Sequence, residues 1–383
     1  MQVKLNVIVG AVALALSGAA MSQDMVVKIG HVGPTSGAIA HLGKDNEMGA
    51  RMAIEDLNAK GVTIGGKKVK FELLAEDDAG DPKQGTAAAQ KLVDEKVNGV
   101  IGHLNSGTTI PASKIYFDAG IPQISPSATN PKYTRQGYKT AFRVVADDVQ
   151  LGGTLGRYAV KDMKAKTVAV IDDRTAYGQG VADEFEKAVK GSGGKVVGRE
   201  FTTDKATDFT AILTSLKAKK PDLIFFGGMD AVAGPMLRQM KQLGINAKFV
   251  GGDGICTGEL PKLAAGSIAD NQVVCAEAGG IDPKDAAGVK AMGDFKAKFK
   301  QKFNVDVQIY APYVYDALNV MVAAMVKAGS AVPAKYLPVL AKTSGYKGVT
   351  GSISFDQKGD IKNGALTLHS YVDGKQTNIG VVR

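Results

Sequence analysis

Hydroxyl-rich segments follow two neighbouring predicted strands of this 383-residue chain, and their residue types point to the binding of an anion. Residues 103–109 (HLNSGTT) lie between a strand and a helix, and residues 125–131 (SPSATNP) follow the next strand. Hydroxyls, backbone N–H groups and the positive end of a helix dipole bind carboxylates at such positions. Ser and Thr also cap helices routinely. Two such segments after adjacent strands favour a carboxylate site.

The sequence lacks the short motifs of common catalytic and cofactor sites. It contains no GxGxxG, GxxxxGK[ST], HExxH or GxSxG pattern. Its four histidines lie far apart, without the spacing of metal ligands. A triad can still assemble from distant positions. The absence of signatures nevertheless favours a binding protein over an enzyme, and we predict no cofactor and no metal.

Alternating strand and helix patterns must position these segments. The pattern runs once through the first part of the chain, restarts near residue 167, and breaks near residues 144–148. Repeated βα units predict open parallel sheets with helices on both faces, in two α/β lobes of similar size. The predicted strands are 25–30, 69–74, 97–103, 121–125, 167–171, 195–197, 222–226, 248–250, 352–355 and 366–372. The predicted helices are 49–58, one capped by Asp81, 110–119, 183–189, 209–217, 235–243, 286–303 and 312–328.

Composition excludes several other classes of protein. The chain is 45% hydrophobic and 22% charged, which excludes global disorder. Its formal charge of +9 comes from basic residues scattered along the chain and not interleaved with aromatics, so nucleic-acid binding has little support. The length fits two domains better than one.

The N-terminus is typical of a secretory signal peptide. Lys4 precedes an apolar run at residues 7–16, and small residues precede a cleavage point after Ser22. The run is shorter than the ~20 residues that a membrane anchor needs. We therefore expect an exported, periplasmic, soluble protein. In an oxidising compartment Cys256 and Cys275 form a disulfide more readily than a redox pair or a metal site.

Motifs along nearly the whole chain resemble the leucine/isoleucine/valine-binding proteins, the periplasmic receptors of branched-chain amino-acid ABC importers. No single motif is specific, but their order and spacing are. They are residues 77–84 (DDAGDPKQ), 100–104 (VIGHL), 111–113 (PAS), 125–129 (SPSAT), 177–180 (YGQG), 226–228 (FGG), 237–239 (LRQ) and 359–360 (GD).

This resemblance implies a type I periplasmic binding protein fold, with two doubly wound α/β lobes joined by three hinge crossings. The expected N-terminal lobe comprises residues 24–145 and 277–360, and the C-terminal lobe comprises 146–276 and 361–383. The lobes are expected to close on one ligand and to present it to a membrane permease. We expect a monomer that contacts no nucleic acid.

The resemblance also implies a ligand site. Ser106 and Thr129 match positions that hold the ligand carboxylate, and Ser127 matches one whose carbonyl accepts from its ammonium. The neighbouring Ala128 belongs to the same segment and is a further candidate. Tyr177 matches a residue that covers the ligand, and Tyr310 an aromatic beside the side-chain pocket.

Some positions depart from the family pattern. Asp253 stands where the family uses a longer Glu for the ammonium, so the lobes must close further or a water must bridge. Leu42 and Met229 replace tyrosines, which keeps the pocket apolar but changes its shape. Ala79 and Asn105 replace the cysteines of a first-lobe disulfide. Asp230 could face the cleft or the solvent, and the rarity of buried aspartates favours solvent.

Together these features predict a receptor for an α-amino acid, with Leu, Ile and Val as the expected ligands. A receptor of the same fold for an aromatic acid, urea or an amide remains an alternative. So does a ligand sensor that feeds a signalling partner, or an exported enzyme on the same scaffold.

Overall fold

The computed structural model describes residues 24–382. The predicted signal peptide and its cleavage point after Ser22 lie outside the described residues. The strands are β1 (Met25–Gly33), β2 (Thr63–Ile64), β3 (Lys67–Asp77), β4 (Gly99–Gly102), β5 (Gln123–Ser125), β6 (Ala141–Arg143), β7 (Thr167–Asp172), β8 (Lys195–Phe201), β9 (Leu223–Gly227), β10 (Lys248–Gly251), β11 (Val273–Glu277), β12 (Tyr346–Gly348), β13 (Gly351–Ile353), β14 (Leu366–Val372) and β15 (Lys375–Val382).

The helices alternate with the strands over most of the chain. They are α1 (Ala40–Lys60), α2 (Pro82–Asp94), α3 (Ser106–Asp118), α4 (Asp148–Lys161), α5 (Ala176–Gly191), α6 (Thr210–Ala218), α7 (Asp230–Gln242), α8 (Leu260–Leu263), α9 (Ala286–Phe303), α10 (Ala311–Ala328) and α11 (Pro333–Leu340). Asp81 caps α2 as predicted, because its carboxylate accepts from the N–H groups of Lys83 and Gln84.

Two sheets organise the molecule. The first has the strand order β2-β3-β1-β4-β5-β6, and the second has the order β15-β14-β11-β10-β9-β7-β8. The α/β class is therefore confirmed. The chain leaves the first sheet between β6 and α4, returns between β11 and α9, and leaves again between β13 and β14. We call the parts around the first and second sheets the first and second halves. The residue limits given for the lobes stay a prediction.

The parallel-sheet prediction is wrong at the sheet edges. β2 is antiparallel to β3, and β14 runs antiparallel to both β11 and β15. Two-residue turns, Gly65-Gly66 and Asp373-Gly374, connect the edge hairpins, and all four turn residues have positive φ. Such turns match the natural twist of paired strands and favour hairpins. Strand β15, which the sequence analysis did not predict, begins immediately after the Asp373-Gly374 turn.

Several helices begin earlier than predicted, at the residues that matter most for the cleft. α3 begins at Ser106 rather than at residue 110, with Pro111 inside the helix. α5 begins at Ala176 and α7 at Asp230. Ser106, Tyr177 and Asp230 therefore lie in first helical turns, where backbone N–H groups lack intrahelical partners.

Within residues 24–382, no single helix combines the length and apolarity needed to cross a membrane. α10 and α11 meet that criterion only as a pair, which is bent by 111°.

Gly49 lets α1 pack closely against α10, and this contact provides a test of the fold. A Cβ atom at Gly49 would lie 2.4 Å from the carbonyl oxygen of Ala311. Gly49→Ala should therefore lower the free energy of unfolding by about 1–3 kcal/mol, because backbone atoms must move apart.

Gly293→Ala in α9 is the matched control. A Cβ there meets no atom within 4 Å, so the gain in helix propensity should make this variant neutral or slightly more stable. Urea unfolding followed by circular dichroism measures both variants. Equal stabilities would contradict the described packing of α1 on α10.

Candidate functional site

A small, partly open cavity with about 180 Å³ of empty space lies between the two halves of the molecule. Six of the predicted site residues line it, together with two that sequence reasoning missed. The lining residues are Leu104, Asn105, Ser106, Ser127, Tyr177, Met229, Asp253 and Tyr310.

The cavity lies where the carboxyl ends of strands from both sheets meet. Ser106 follows β4, Ser127 follows β5, Tyr177 follows β7, and Asp253 follows β10. Parallel α/β sheets bind ligands at this edge, because loops and helix N-termini converge there. Side chains far apart in the sequence are brought together for this reason.

Asp253 dominates the electrostatics of the cavity. Its side chain is 1% exposed. The hydroxyl of Tyr310, from the first half, donates to Oδ2 over 3.0 Å, while Oδ1 has no hydrogen-bond partner in the described chain. Burial raises the pKa of Asp253 to about 6, against the opposing effect of the Tyr177 and Tyr310 hydroxyls. The carboxylate is thus charged at neutral pH and available to a cation or another hydrogen-bond donor.

Tyr177 anchors the segment that carries Asp253. Its hydroxyl accepts from the backbone N–H of Gly254 over 2.9 Å, and its own proton is free for the Asp253 carboxylate. Both residues belong to the second half, so this contact does not depend on the other half.

The first half contributes the hydroxyl residues. Ser106 is the first residue of α3, and its Oγ accepts from the backbone N–H of Asn130 over 3.2 Å. Ser127 Oγ donates to the Leu104 carbonyl over 3.1 Å. The N-terminal turn of α3 therefore faces the same cavity as the Asp253 carboxylate. A positive helix end and a negative side chain on one cavity suit a ligand with both charges.

Three predicted residues are buried near the cavity without lining it. The Ala128 carbonyl accepts from Arg143, and the Thr129 carbonyl accepts from the N–H of Asp148. The Thr129 hydroxyl has no hydrogen bond of ordinary geometry, although it lies beside the buried Asp148 carboxylate. Burial raises the pKa of Asp148 well above its usual range. Leu42 is fully buried in α1.

Apolar residues from both halves pack at one side of the cavity. Leu42, Leu104 and Tyr310 belong to the same buried cluster as Phe226 of the second half, and Met229 packs against that cluster. This cluster makes one side of the cavity apolar.

Sequence reasoning missed Asn105 and the positioning residue Asp45. Asn105 lines the cavity, and its Oδ1 is buried without a partner among residues 24–382. The buried Asp45 of α1 accepts from four consecutive backbone N–H groups, at residues 308–311, and so holds Tyr310 in place. The position of Asn105 in the hydroxyl segment was a usable signal, whereas nothing in the sequence links Asp45 to a loop about 265 positions later.

The expectation that Asp230 faces solvent is wrong. Its side chain is fully buried, and Oδ2 contacts His41 Nε2 at 2.8 Å and accepts from the Thr257 hydroxyl over 2.6 Å. These two polar partners, together with the N-terminus of α7, make burial of a carboxylate tolerable.

Cys256 and Cys275 form the predicted disulfide, with Cα atoms 5.3 Å apart. It connects the end of the segment that carries Asp253 to β11. The bond therefore supports the base of the cavity within the second half.

A larger depression, with about 1060 Å³ of empty space open to solvent, lies against the three connections between the halves. None of the buried, unpartnered polar side chains of residues 24–382 lines it. The small cavity is the better candidate, because buried polar atoms without partners face it. No group of three or more potential metal ligands occurs among the residues that the structure describes.

Comparison with known proteins points to one family. Residues 26–375 match the family model described as "Periplasmic binding protein". The chain is 36% identical to the Leu/Ile/Val-binding protein homolog 1 of Brucella abortus over 372 residues, which are 96% of each chain. It is also 36% identical to the leucine-, isoleucine-, valine-, threonine-, and alanine-binding protein of Pseudomonas aeruginosa over 362 residues, which are 94% of each chain.

A solved structure has a similar fold. It is the branched-chain amino acid transporter substrate binding protein LivJ from Streptococcus pneumoniae, in complex with isoleucine. The TM-score is 0.82 at 27% sequence identity, with 93% of this chain and 99% of that chain covered.

The Tyr177 hydroxyl gives a prediction about the segment that carries Asp253. Tyr177→Phe should lower the free energy of unfolding by about 1–2 kcal/mol, because the buried N–H of Gly254 loses its acceptor. The pKa of Asp253 should also rise, because a hydroxyl that favours the charged form is gone.

Tyr158→Phe in α4 removes a hydroxyl for which the described residues offer no hydrogen bond, and serves as the control. Urea unfolding gives the stabilities, and a carbon-13 NMR titration of the carboxyl groups gives the pKa. A pKa that falls, or a stability equal to that of the control, would contradict the described contact.

Proposed function

This chain belongs to the periplasmic binding proteins, as its motifs predicted, and from that premise we propose that it captures an α-amino acid between its two halves for an ABC importer. Members of this family are solute receptors, not enzymes. The observation that carries the proposal is the buried Asp253 carboxylate, whose unpartnered oxygen shares a cavity with the N-terminus of α3.

The ammonium group of the ligand binds at Asp253 in this proposal. A buried carboxylate with one free oxygen needs a cationic donor, since charge burial is costly without a partner. The Ser127 carbonyl adds an acceptor from the first half. The Thr129 hydroxyl, which is buried next to the cavity and has no hydrogen bond of ordinary geometry within residues 24–382, adds a second. In this proposal the shorter Asp253 side chain reaches the ammonium because the two halves close further around the ligand, or because a water bridges the gap.

The carboxylate of the ligand binds at the beginning of α3. Ser106 supplies a hydroxyl and a backbone N–H, Thr129 supplies a second N–H, and the helix dipole adds a favourable potential. A ligand that carries only one of the two charges leaves the other pole of the site without a partner. The site therefore selects an α-amino acid over a simple acid or amine.

The side chain of the ligand lies against the apolar residues. Met229 and the ring of Tyr310 line this wall, and the buried Leu42 packs in the same cluster as Tyr310. Ala128 is also buried, in the segment that follows β5. Each buried methylene adds roughly 0.8 kcal/mol. Together with the relatives whose names specify leucine, isoleucine and valine, the wall supports a branched aliphatic side chain.

Closure makes the binding productive. Tyr177 and Asp253 belong to the second half, whereas Ser106, Ser127 and Tyr310 belong to the first. A ligand that contacts both groups at once stabilises the closed form through its differential affinity for that form.

The remaining assignments follow from this role. We infer that residues 1–22 direct export to the periplasm, and that the mature chain acts as a monomer. The closed form delivers the ligand to membrane permease subunits, and the ATPases associated with them supply the energy. The sequence of this chain contains no GxxxxGK[ST] motif for ATP.

Titration calorimetry on mature protein that has been unfolded and refolded tests the proposal, because refolding removes retained ligand. The panel contains L-Leu, L-Ile, L-Val, L-Ala, L-Phe and L-Glu, with leucinamide as the analogue that lacks a carboxylate. We expect one-to-one binding of the aliphatic amino acids and none of leucinamide. If the folded protein binds none of the compounds in the panel, the amino-acid assignment is refuted and an aromatic acid, urea or an amide is favoured as the ligand.

The role of Asp253 predicts the effect of a substitution. Asp253→Asn should weaken amino-acid binding by at least about 100-fold, because the ammonium loses its buried counter-charge. The fold should persist, since the substitution also removes a charge that is costly to bury.

Asp316→Asn is the matched control for this substitution. Asp316 is also buried, and burial raises its pKa to about 6, but its oxygens accept from Val349 and Thr350 away from the cavity. We expect the Asp316→Asn variant to bind the amino acid with the same affinity as the unmodified protein. An Asp253→Asn variant that keeps full affinity would show that the ammonium binds elsewhere.

A further inference from the structure

A second polar contact joins the two halves beside the cavity. His41 lies in the second position of α1, in the first half, and Asp230 is the first residue of α7, in the second half. His41 Nε2 and Asp230 Oδ2 are 2.8 Å apart, although 189 positions separate them in the sequence. Neither residue lines the cavity.

The buried carboxylate of Asp230 depends strongly on this contact for its hydrogen bonding and its balance of charge. Its side chain is fully buried, the Thr257 hydroxyl donates to Oδ2, and Oδ1 has no partner within the described part of the chain. The N-terminus of α7 contributes a partial positive charge. His41 is the only cationic group that hydrogen-bonds to this carboxylate among residues 24–382, and it comes from the opposite half.

The pair is adjacent to two residues of the apolar wall. Leu42 follows His41, and Met229 precedes Asp230. A contact that holds His41 against Asp230 therefore also restrains the backbone that carries Leu42 and Met229.

We propose that His41 and Asp230 are positioning residues that form an ionic latch across the cleft, which holds the closed form over the ligand and sets its affinity. This inference rests on the proposed function. The pair acts through closure, because opening the cleft would separate the two side chains and leave Asp230 without its charged partner.

The charges around His41 make the latch dependent on pH. The negative charges of Asp230 of α7, Glu259 before α8 and Asp45 of α1 all act on the imidazole, and Asp230 is in hydrogen-bond contact with it. Burial lowers the pKa of His41, but the hydrogen bond to Asp230 and the charges of these carboxylates raise it by more, so the pKa is raised overall. The protonated imidazole thus favours the closed form, and this contribution is lost as the pH rises through the raised pKa.

Asp253 acts at the opposite end of the pH range. Its pKa of about 6 means that acid removes the counter-charge of the ammonium and weakens binding. The affinity of the unmodified protein should therefore fall on both sides of an optimum, with Asp253 responsible for the acid limb and His41 for the alkaline limb.

The experiment measures L-isoleucine binding by titration calorimetry at several pH values between 5 and 8.5. At pH 6.5, His41→Gln should weaken binding about tenfold, since a charge-assisted hydrogen bond is lost. The difference in affinity between the variant and the unmodified protein should shrink as the pH rises towards 8.5, because the imidazole of the unmodified protein loses its proton over that range. Asp230→Asn should behave like His41→Gln, and the double variant should be no weaker than either single variant.

His369→Gln is the matched control, because His369 pairs with Glu277 at 3.4 Å between neighbouring strands of the second sheet. The affinity of His369→Gln for L-isoleucine should still fall at both acid and alkaline pH. A loss of affinity at pH 8.5 that all the proteins share is an effect of pH on the ligand itself. An alkaline limb that survives in His41→Gln would overturn the latch.

Small-angle X-ray scattering separates failure of the latch from failure of the proposed function. If no amino acid binds, the proposed function is wrong, but the latch still predicts a larger radius of gyration for His41→Gln and Asp230→Asn than for His369→Gln at pH 6.5. Equal radii together with normal amino-acid binding and an unchanged pH profile would overturn the latch alone.

Discussion

The buried carboxylate of Asp253 is the constraint on which the rest of the site depends. Placing an ionised carboxylate in a buried cavity costs several kcal/mol unless hydrogen bonds and an opposite charge compensate it. The protein supplies Tyr177 and Tyr310, but no Lys or Arg side chain lines the cavity. Oδ1 has no hydrogen bond of ordinary geometry among residues 24–382, so a cationic group of a ligand would complete the balance of charge. In the proposed function the ligand relieves this cost of burying the Asp253 charge.

The fold places this carboxylate where both halves can act on it. The carboxyl ends of β4, β5, β7, β9 and β10 meet at one cleft, so the first turns of α3, α5 and α7 converge there. Asp45 accepts hydrogen bonds from four backbone N–H groups, at residues 308–311. These bonds hold Tyr310 where its hydroxyl contacts Asp253. Most of the polar geometry of the site is therefore set by backbone groups at element ends, whereas the proposed selectivity for ligand side chains rests on the few apolar residues of the wall.

Local patterns in the sequence were sufficient for the class of fold and for most elements. The strand 366–372 and the disulfide between Cys256 and Cys275 are confirmed as predicted. The edge hairpins were missed although Gly65-Gly66 and Asp373-Gly374 are strong turn signals, because the βα rhythm suggested parallel neighbours throughout. α3 was predicted to begin too late, at residue 110, because residues 103–109 were interpreted as a loop, whereas the helix begins at Ser106.

The errors in the site have a different origin, because they arise from contacts between distant residues. The rarity of buried aspartates predicted an exposed Asp230, and only the structure brings His41 and Thr257 to it. The two buried acids of the cleft are then satisfied differently. Asp230 finds its cation in the opposite half of the protein, whereas Asp253 finds only a hydroxyl there. Closing the halves without a ligand would therefore satisfy Asp230 and leave Asp253 without a cationic partner. In the proposed function, the ammonium group of the ligand supplies that partner and makes the closed form favourable for both acids.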